Sequence, residues 1–260
     1  MARLEDSAFA AALARRAGAA ILPFFRSVLE VENKAPPGGY DPVTEADRAA
    51  EQAIIEEIRR HYPDDAIEGE EYGHQPGTSG RAWVIDPIDG TRAFLAGLPT
   101  WGTLVGLRMG GKAVAGAAMQ PFVGDLFSGG TSGASLNGRP IRTRACPSLD
   151  TAILATTDPS LFSPLERVAF DALRQRTRLC RLGCDWYAYA LLAAGHIDIV
   201  VESGLKPHDV LALIAIIEAA GGRLVSWRGG DAGQGGQVVA IGDPRLEAPV
   251  LRLLAPAAAS

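Results

Sequence analysis

Two aspartates stand three positions apart at the centre of the chain, in the run Trp83-Val84-Ile85-Asp86-Pro87-Ile88-Asp89-Gly90-Thr91. The apolar residues predict a buried strand that ends at the first aspartate. Pro87 fixes the backbone and Gly90 permits a sharp reversal, so both carboxylates can face one point. Oxygen ligands on such a turn suit a hard cation. An ordinary Asp-Pro turn with solvated carboxylates is the alternative that this run leaves open.

Other acidic residues also stand where predicted elements begin or end, and these are Asp47, Glu70, Glu71 and Asp209. Taken singly, each has an ordinary explanation as a helix cap, a partner of a helix dipole or a solvated charge. If these residues converge with the central pair, each pair of like charges about 4 Å apart costs roughly 4 kcal/mol at an effective dielectric of about 20. Such a cluster requires cations. Ligation by carboxylates without His or Cys favours Mg²⁺ or Mn²⁺ over zinc.

The first half of the chain, residues 1–150, combines helices with an antiparallel sheet. Thr44, followed three positions later by Asp47, predicts a capping-box variant at the start of a helix. The predicted elements are a helix at 5–26, a helix at 44–62, a strand at 66–68, the central strand, and a meander of strands at 101–109, 113–120 and 125–128.

The second half, residues 151–260, alternates strands with helices, which is the pattern of an α/β unit. The predicted strands cover 152–156, 179–182, 197–202, 223–226 and 237–241, and the predicted helices cover 164–174, 185–194, 207–220 and 244–254. We expect the two halves to form one compact catalytic unit, with Asp209 supplied by the second half.

Composition argues against several classes of protein. Of the 260 residues, 47% are hydrophobic and 21% are charged, as in ordinary globular proteins. A net charge of -5 without a basic stripe argues against a nucleic-acid partner. Charged residues interrupt the apolar N-terminal stretch, and the later apolar runs are too short to span a membrane, so we expect a cytoplasmic protein. The three cysteines lack CxxC spacing and predict neither a disulfide framework nor a zinc cluster.

Motifs across nearly the whole chain, from about Ala8 to Leu254, resemble the inositol monophosphatase superfamily of Mg²⁺-dependent, lithium-sensitive phosphatases. They are Asp41-Pro42-Val43-Thr44-Glu45-Ala46-Asp47, Gly69-Glu70-Glu71, Asp86-Pro87-Ile88-Asp89-Gly90-Thr91, and Lys206-Pro207-His208-Asp209 followed by Gly221-Gly222. The resemblance implies an α/β fold, the layered αβαβα sandwich of inositol monophosphatases and fructose-1,6-bisphosphatases. It also implies a small phosphorylated metabolite as substrate and, usually, a homodimer.

The resemblance implies metal ligands at five residues of this chain. Glu70, Asp86 and the carbonyl of Ile88 resemble the ligands of a first ion. Asp86, Asp89 and Asp209 resemble those of a second ion, and Glu70 resembles a ligand of a weaker third ion. The expected cofactor is therefore two or three Mg²⁺ ions, with Mn²⁺ as the alternative.

The resemblance also implies which residues handle the phosphate and the attacking water. Gly90 and Thr91 lie where the family binds phosphate, and Asp47 with Thr91 resembles the pair that holds the water. We therefore expect Asp47, Glu70 and Thr91 to be catalytic. Water activated by a metal ion and in-line displacement at phosphorus agree with this set of residues, and no covalent intermediate is needed.

Several runs of the chain resemble the histidinol-phosphatase branch more than the inositol branch, and these cover residues 94–104, 120–121, 183–189 and 201–209. Two positions depart from that branch, since Trp186 stands where Cys is common and His208 stands where Tyr is usual. We favour a packing role for His208. Asp185 and Glu202 match positions at which the family contacts the leaving group.

Histidinol phosphate carries an ammonium and an imidazole, so acidic residues in the pocket would pair with it, whereas inositol offers hydroxyl groups only. The structural alternatives are a helix cap for Asp185 and a surface carboxylate at a strand end for Glu202. The sequence thus predicts hydrolysis of L-histidinol phosphate. An inositol-1-monophosphatase, a phosphatase of broad specificity and a metal-binding relative without turnover are the alternatives.

Overall fold

The computed structural model describes residues 5–28, 30–34 and 42–258. The loop expected at 35–40 and Asp41, the first residue of the N-terminal motif, lie outside the described residues. The α-helices within these ranges are α1 (Asp6–Ile21), α2 (Glu45–His61), α3 (Thr91–Leu95), α4 (Pro164–Arg174), α5 (Asp185–Ala193), α6 (Pro207–Ala219) and α7 (Glu247–Leu254). None of these described helices has the length and apolarity needed to cross a membrane.

The strands form a large sheet, a small sheet and one short pairing between β1 (Glu32–Asn33) and β2 (Pro42–Val43). The large sheet contains β3 (Ala66–Gly69), β4 (Gly73–Gln75), β5 (Arg81–Asp89), β6 (Gly102–Met109), β7 (Lys112–Gln120), β8 (Asp125–Gly130), β9 (Gly133–Leu136) and β10 (Arg139–Ile141) in the order β10-β9-β8-β7-β6-β5-β3-β4. The small sheet contains β11 (Ile153–Thr156), β12 (Leu179–Leu182), β13 (Ile199–Leu205), β14 (Arg223–Ser226) and β15 (Gly236–Ile241) in the order β12-β11-β13-β15-β14. The predicted meander is confirmed as β6, β7 and β8, and the sequence did not predict β9 and β10.

Side chains alternate between the two faces of the large sheet and so build two separate cores. On β6, Val105 packs with residues of α1 and α2, whereas its neighbour Leu104 packs on the opposite face with residues of α5 and α6. A third core lies on the outer face of the small sheet, where Phe170 of α4 and Val250 of α7 are buried. The layers are therefore helix, sheet, helix, sheet, helix, which confirms the predicted αβαβα sandwich.

Helix α6 lies against the large sheet at three glycines that are neighbours across three strands. Gly106 on β6 pairs with Gly116 on β7, and Gly116 pairs with Gly129 on β8. A Cβ atom added at Gly116 would lie 2.3 Å from the carbonyl oxygen of Ala212 in the helix. Because backbone atoms cannot move aside alone, a larger residue would push the helix away from the sheet. The glycines thus fix the position of the helix whose first turn carries Asp209.

The boundary between the two halves of the chain at residue 150 stays a prediction. Helix α6 belongs to the second half of the sequence but packs on β5, β6, β7 and β8 of the first half. Cys146 is buried, and Cys180 and Cys184 are partly buried. All three thiols are free.

Candidate metal centre and active site

The two central aspartates reach one point because strand β5 contains an irregularity between them. The sequence predicted that the strand would end at Asp86, which is wrong, since β5 continues to Asp89. In the pairing with β6, Asp86 lies opposite Leu104 and Asp89 lies opposite Gly102. Three steps on β5 therefore match two steps on β6, as in a β-bulge. Without the extra residue, positions three apart would point to opposite faces of the sheet.

Two groups of side chains meet at this bulge. In one, single carboxylate oxygens of Asp86, Asp89 and Asp209 all lie within 4.8 Å of one another. In the other, ligand atoms of Glu70, Asp86 and His208 satisfy the same distance. Asp86 is shared by both groups. The four acids expected to bind metal thus converge, and a ring nitrogen of His208 joins them.

His208, for which a packing role was expected, also lies against the acidic cluster. Its Nε2 atom lies 3.5 Å from Oδ1 of Asp209. Burial raises the pKa of Asp209, and the charge of His208 opposes that rise. The other oxygen of Asp209, Oδ2, accepts a hydrogen bond of 2.6 Å from the backbone N–H of Lys206, which fixes the carboxylate at the start of α6.

Burial and mutual repulsion make this cluster unfavourable on its own. Asp86 is 2% exposed, and its Oδ1 atom has no hydrogen-bond partner among the described residues. Its pKa is raised well above the ordinary value by burial and then by the charges of Glu70, Asp89 and Asp209. Burial and the charge of Asp209 likewise raise the pKa of Asp89. Buried carboxylates without partners are tolerated when they are neutralised, and a divalent cation would neutralise several at once. The donor set therefore fits a metal ion.

The loop that carries Glu70 is held by a residue that the sequence analysis missed. Glu51 of α2 is completely buried, and its carboxylate accepts hydrogen bonds from the backbone N–H groups of Glu71 (2.8 Å) and Tyr72 (2.9 Å). A Cβ atom added at Gly69 would lie 1.7 Å from Oε1 of Glu51, so glycine is required for this approach. The sequence feature that could have identified Glu51 is the presence of a carboxylate within the apolar stripe of an amphipathic helix.

Lys34 was also missed, and it provides a positive charge beside the acidic cluster. Its Nζ atom lies 3.1 Å from Oε1 of Glu70 and 2.6 Å from Oε1 of Glu71. Burial would lower the pKa of Lys34, but the two carboxylates raise it above its ordinary value. Both glutamates thus pair with Lys34, and they differ because Glu70 also joins the cluster of candidate ligands whereas Glu71 does not.

Asp47 forms the capping box that the sequence predicted. Its Oδ2 atom accepts hydrogen bonds from the backbone N–H (2.8 Å) and the hydroxyl group (2.7 Å) of Thr44. Burial raises the pKa of Asp47 to about 6, against the lowering effect of Thr44 and with a further rise from Glu71 and Glu70. A carboxyl group with this pKa can accept a proton near neutral pH.

The turn after Asp89 orders the residues expected to meet phosphate. Gly90 has φ +81°, a left-handed conformation that glycine adopts readily, and it precedes the short helix α3. The hydroxyl group of Thr91 donates a hydrogen bond of 3.0 Å to the carbonyl of Ile88. A Cβ atom added at Gly90 would lie 3.1 Å from Cγ of Asp185, which brings the turn next to α5.

A pocket of about 580 Å³ opens beside this turn. Its wall includes all the residues expected to contact substrate together with two of the candidate metal ligands, namely Asp89, Gly90, Thr91, Asp185, Glu202 and Asp209. Among the described residues, Asp47, Glu70 and Asp86 are not part of this wall. The volume suits a small metabolite.

Glu202 and Asp185 do not have the ordinary structural roles considered above. Glu202 is 4% exposed and lies within β13, where it accepts a hydrogen bond of 2.5 Å from the backbone N–H of Thr157. Burial raises its pKa to about 7. Asp185 provides no helix cap, and its Oδ2 atom accepts a hydrogen bond of 2.9 Å from the hydroxyl group of Thr100. Burial also raises the pKa of Asp185. Both acids are therefore held inside the pocket.

The sequence matches the model of the inositol monophosphatase family over residues 3–257. The chain belongs to the inositol monophosphatase family. Members of this family are metal-dependent phosphatases, and the two groups of side chains that meet at the bulge could hold metal ions.

The relatives of this chain include enzymes that are named for different activities. The chain is 42% identical to the bifunctional phosphatase IMPL2, chloroplastic, of Arabidopsis thaliana, over 84% of its own length and 63% of the relative, so it spans less than two thirds of that protein. It is 37% identical to a histidinol-phosphatase of Chlorobaculum parvum, over 86% of each chain. Among solved structures, an inositol monophosphatase from Zymomonas mobilis superposes with a TM-score of 0.86 at 42% identity, over 96% of this chain and 97% of the other. These relatives support the phosphatase reaction and leave more than one leaving group open.

Proposed function

We propose that this protein is a Mg²⁺-dependent phosphomonoesterase that hydrolyses L-histidinol phosphate to L-histidinol and inorganic phosphate. One observation carries the choice of substrate, namely that the pocket beside Thr91 contains two buried acids, Asp185 and Glu202. The ammonium and imidazole of histidinol can pair with such acids, whereas the hydroxyl groups of inositol bring no charge. The histidinol-phosphatase relative at 37% identity supports the same choice.

The residues of the acidic cluster would hold the metal ions. We assign this role to the side chains of Glu70, Asp86, Asp89 and Asp209 and to the carbonyl of Ile88. A bound divalent ion would lower the pKa of water and offset the negative charge of the phosphoryl group. Mg²⁺ is proposed because oxygen ligands predominate, and Mn²⁺ is the alternative because the imidazole of His208 lies beside them.

Asp47 and Thr91 are proposed to orient the attacking water. The water oxygen forms the new bond to phosphorus, and the water gives a proton to the carboxylate of Asp47. The P–O bond to the leaving alcohol breaks, the alcohol oxygen keeps the electron pair and takes up a proton from solvent water, and Asp47 returns its proton to the solvent. The pKa of about 6 at Asp47 supports its role as proton acceptor. The hydroxyl group of Thr91 donates a hydrogen bond to the carbonyl of Ile88. This contact supports a role for Thr91 in fixing the direction from which the water attacks.

A phosphatase with inositol 1-phosphate as substrate, or with broad specificity, is the second candidate, and the similarity to the Zymomonas mobilis enzyme favours it. A metal-binding protein without turnover is the third candidate, and the complete set of candidate catalytic residues argues against it. The homodimer, the cytoplasmic location and the lack of a nucleic-acid partner stay predictions of the sequence.

A panel of substrates tests the proposed function. We expect kcat/KM in the presence of Mg²⁺ to be at least about tenfold higher for histidinol phosphate than for inositol 1-phosphate, fructose 1,6-bisphosphate or 3′-phosphoadenosine 5′-phosphate. Phosphate release measured with malachite green provides the rates. A tenfold preference for inositol 1-phosphate, equivalent to about 1.4 kcal/mol, would reject the assignment. Isothermal titration with Mg²⁺ and with Mn²⁺ tests the identity of the ion.

A further inference from the structure

Tyr189 has a buried hydroxyl group that the mechanism above does not use. The residue is 2% exposed, and its ring packs in the core between the two sheets. The hydroxyl oxygen is buried and has no hydrogen-bond partner among the described residues. Buried polar groups are almost always hydrogen-bonded, because desolvation without a new partner is unfavourable. The hydroxyl group of Tyr189 is therefore free to form a hydrogen bond with a bound molecule.

The surroundings of Tyr189 identify where that partner lies. The residue is part of the wall of the pocket that also contains Asp185 and Glu202. Tyr189 follows Asp185 by four positions on α5, a spacing that places two side chains on one face of a helix. Burial, followed by the charges of Glu202, Asp89 and Asp209, raises the pKa of the phenol well above its ordinary value. The group thus stays a neutral hydroxyl beside the acids.

A second tyrosine on the same helix provides a contrast. The hydroxyl group of Tyr187 donates a hydrogen bond to the carboxylate of Asp125, and Tyr187 is not among the described residues that line the pocket. Its polar group therefore has a structural partner. Tyr187 and Tyr189 differ in this respect although they lie two positions apart.

We propose that the hydroxyl group of Tyr189 is a specificity-determining contact that hydrogen-bonds the polar end of the leaving group. Together with Asp185 and Glu202 it forms a subsite rich in acceptor oxygens, which selects phosphomonoesters whose leaving group carries N–H or O–H donors. Simple alkyl phosphates lack such donors and gain nothing from the subsite. This inference rests on the proposed phosphomonoesterase activity, and it holds for either histidinol or inositol as the leaving group.

The experiment compares Tyr189→Phe with Tyr187→Phe and the native protein. Each is assayed with Mg²⁺ on histidinol phosphate, inositol 1-phosphate and ethyl phosphate, and inhibition by inorganic phosphate is measured as a control for the phosphate position. For the preferred polar substrate we expect Tyr189→Phe to lower kcat/KM about 3- to 10-fold, mainly through KM, as for the loss of one hydrogen bond. For Tyr189→Phe, kcat/KM for ethyl phosphate and the inhibition constant of inorganic phosphate should each change by less than about twofold.

The controls separate a contact with substrate from a structural effect. Tyr187→Phe should leave the ratio of kcat/KM between the polar substrate and ethyl phosphate unchanged. The melting temperature of Tyr189→Phe should be equal to or above that of the native protein, since an unpartnered hydroxyl group is removed. An equal loss on polar and alkyl substrates, or no loss on either, would overturn the inference. If the native enzyme prefers inositol 1-phosphate, the histidinol assignment fails, and a loss in Tyr189→Phe confined to inositol 1-phosphate would still support the role of Tyr189.

Discussion

The candidate metal centre and the leaving-group pocket both bury carboxyl groups, but the surroundings of these groups differ between the two regions. In the metal centre, Oδ1 of Asp86 has no hydrogen-bond partner among the described residues, and neighbouring acids add repulsion. In the pocket, Glu202 accepts a hydrogen bond from Thr157 and Asp185 accepts one from Thr100. Both regions are thus partly satisfied by the protein itself, since Asp89 and Asp209 also accept backbone hydrogen bonds, but the metal centre keeps an unpartnered oxygen on Asp86 and the repulsion between its acids.

This difference separates the requirement for metal from the choice of substrate. Acids that share one space cannot all be charged without cations, so the metal centre is complete when ions bind. An acid with a pKa near 7, such as Glu202, can remain neutral in the empty pocket and ionise when a cationic group arrives. We infer that the first region determines the reaction and that the second determines which alcohol leaves.

Replacing one acid of the metal centre should have the largest effect. Asp89→Asn keeps an oxygen that can accept the hydrogen bond from the N–H of Trp186 and removes one negative charge. We expect kcat/KM in Mg²⁺ to fall by about 100-fold or more, comparable with the loss of a group that stabilises the transition state directly. In chelator, the variant should melt at a higher temperature than the native protein because repulsion is relieved.

Asp150→Asn is the matched control for that measurement, since Asp150 is exposed and lies outside the site. It should retain native activity and show no rise in melting temperature in chelator. If Asp89→Asn retains activity within about fivefold of native, Asp89 is not a ligand needed for turnover. The contrast between the two regions would then no longer explain the reaction.

Glu51→Gln should weaken metal binding by an intermediate amount. Both carboxylate oxygens of Glu51 accept backbone N–H groups, and an amide offers one acceptor oxygen only. The loop carrying Glu70 should therefore shift. We expect the affinity for Mg²⁺, measured by calorimetry, to fall about 10- to 100-fold, which is the range for groups that orient metal ligands.

The matched control is Glu56→Gln on the same helix, because Glu56 is exposed and accepts a hydrogen bond from the side chain of Gln52. Its affinity for Mg²⁺ should equal that of the native protein. Saturating Mg²⁺ should restore most of the activity of Glu51→Gln. An unchanged affinity in that variant would mean that Glu51 supports the fold and does not position the ligand loop.

Features that depend on neighbouring residues in the sequence were predicted well. The capping box between Thr44 and Asp47 is local, and helix α4 begins and ends at the predicted residues, Pro164 and Arg174. The convergence of the four acids followed from the motifs and their resemblance to a known family. The roles assigned to these residues stay predictions until variants are measured.

Features that depend on which strands and helices become neighbours were not predicted. The bulge after Asp86 requires the register with β6, and the glycines below α6 matter because Gly116 faces the backbone of that helix. Glu51 was overlooked because its partners lie 20 and 21 positions away. Tyr189 lies in a helix of mostly apolar residues and looks like an ordinary core residue until its hydroxyl group is seen without a partner.

The smallest expected effect concerns the charge of Glu202 and sharpens the comparison most directly. Burial raises its pKa to about 7, so the group is neutral below that pH and a carboxylate above it. A cationic leaving group binds the carboxylate better, and KM for histidinol phosphate should therefore fall as the pH rises from about 6 to about 8. In Glu202→Gln the side chain cannot ionise. The ratio of kcat/KM between native and variant should rise about 3- to 10-fold over this range.

The phosphate group of the substrate titrates in the same range, but this contribution is common to both proteins and cancels in the ratio. The expected rise applies to pairing of Glu202 with the ammonium group, which stays charged over this range, since an imidazole that loses its charge would lower the ratio. Inositol 1-phosphate provides the second control, because its hydroxyl groups carry no charge and the ratio should stay nearly constant with pH. A ratio that is constant for histidinol phosphate as well would mean that Glu202 does not pair with a cation. The buried acids of the pocket would then serve hydrogen bonding alone, and the second candidate substrate would be favoured.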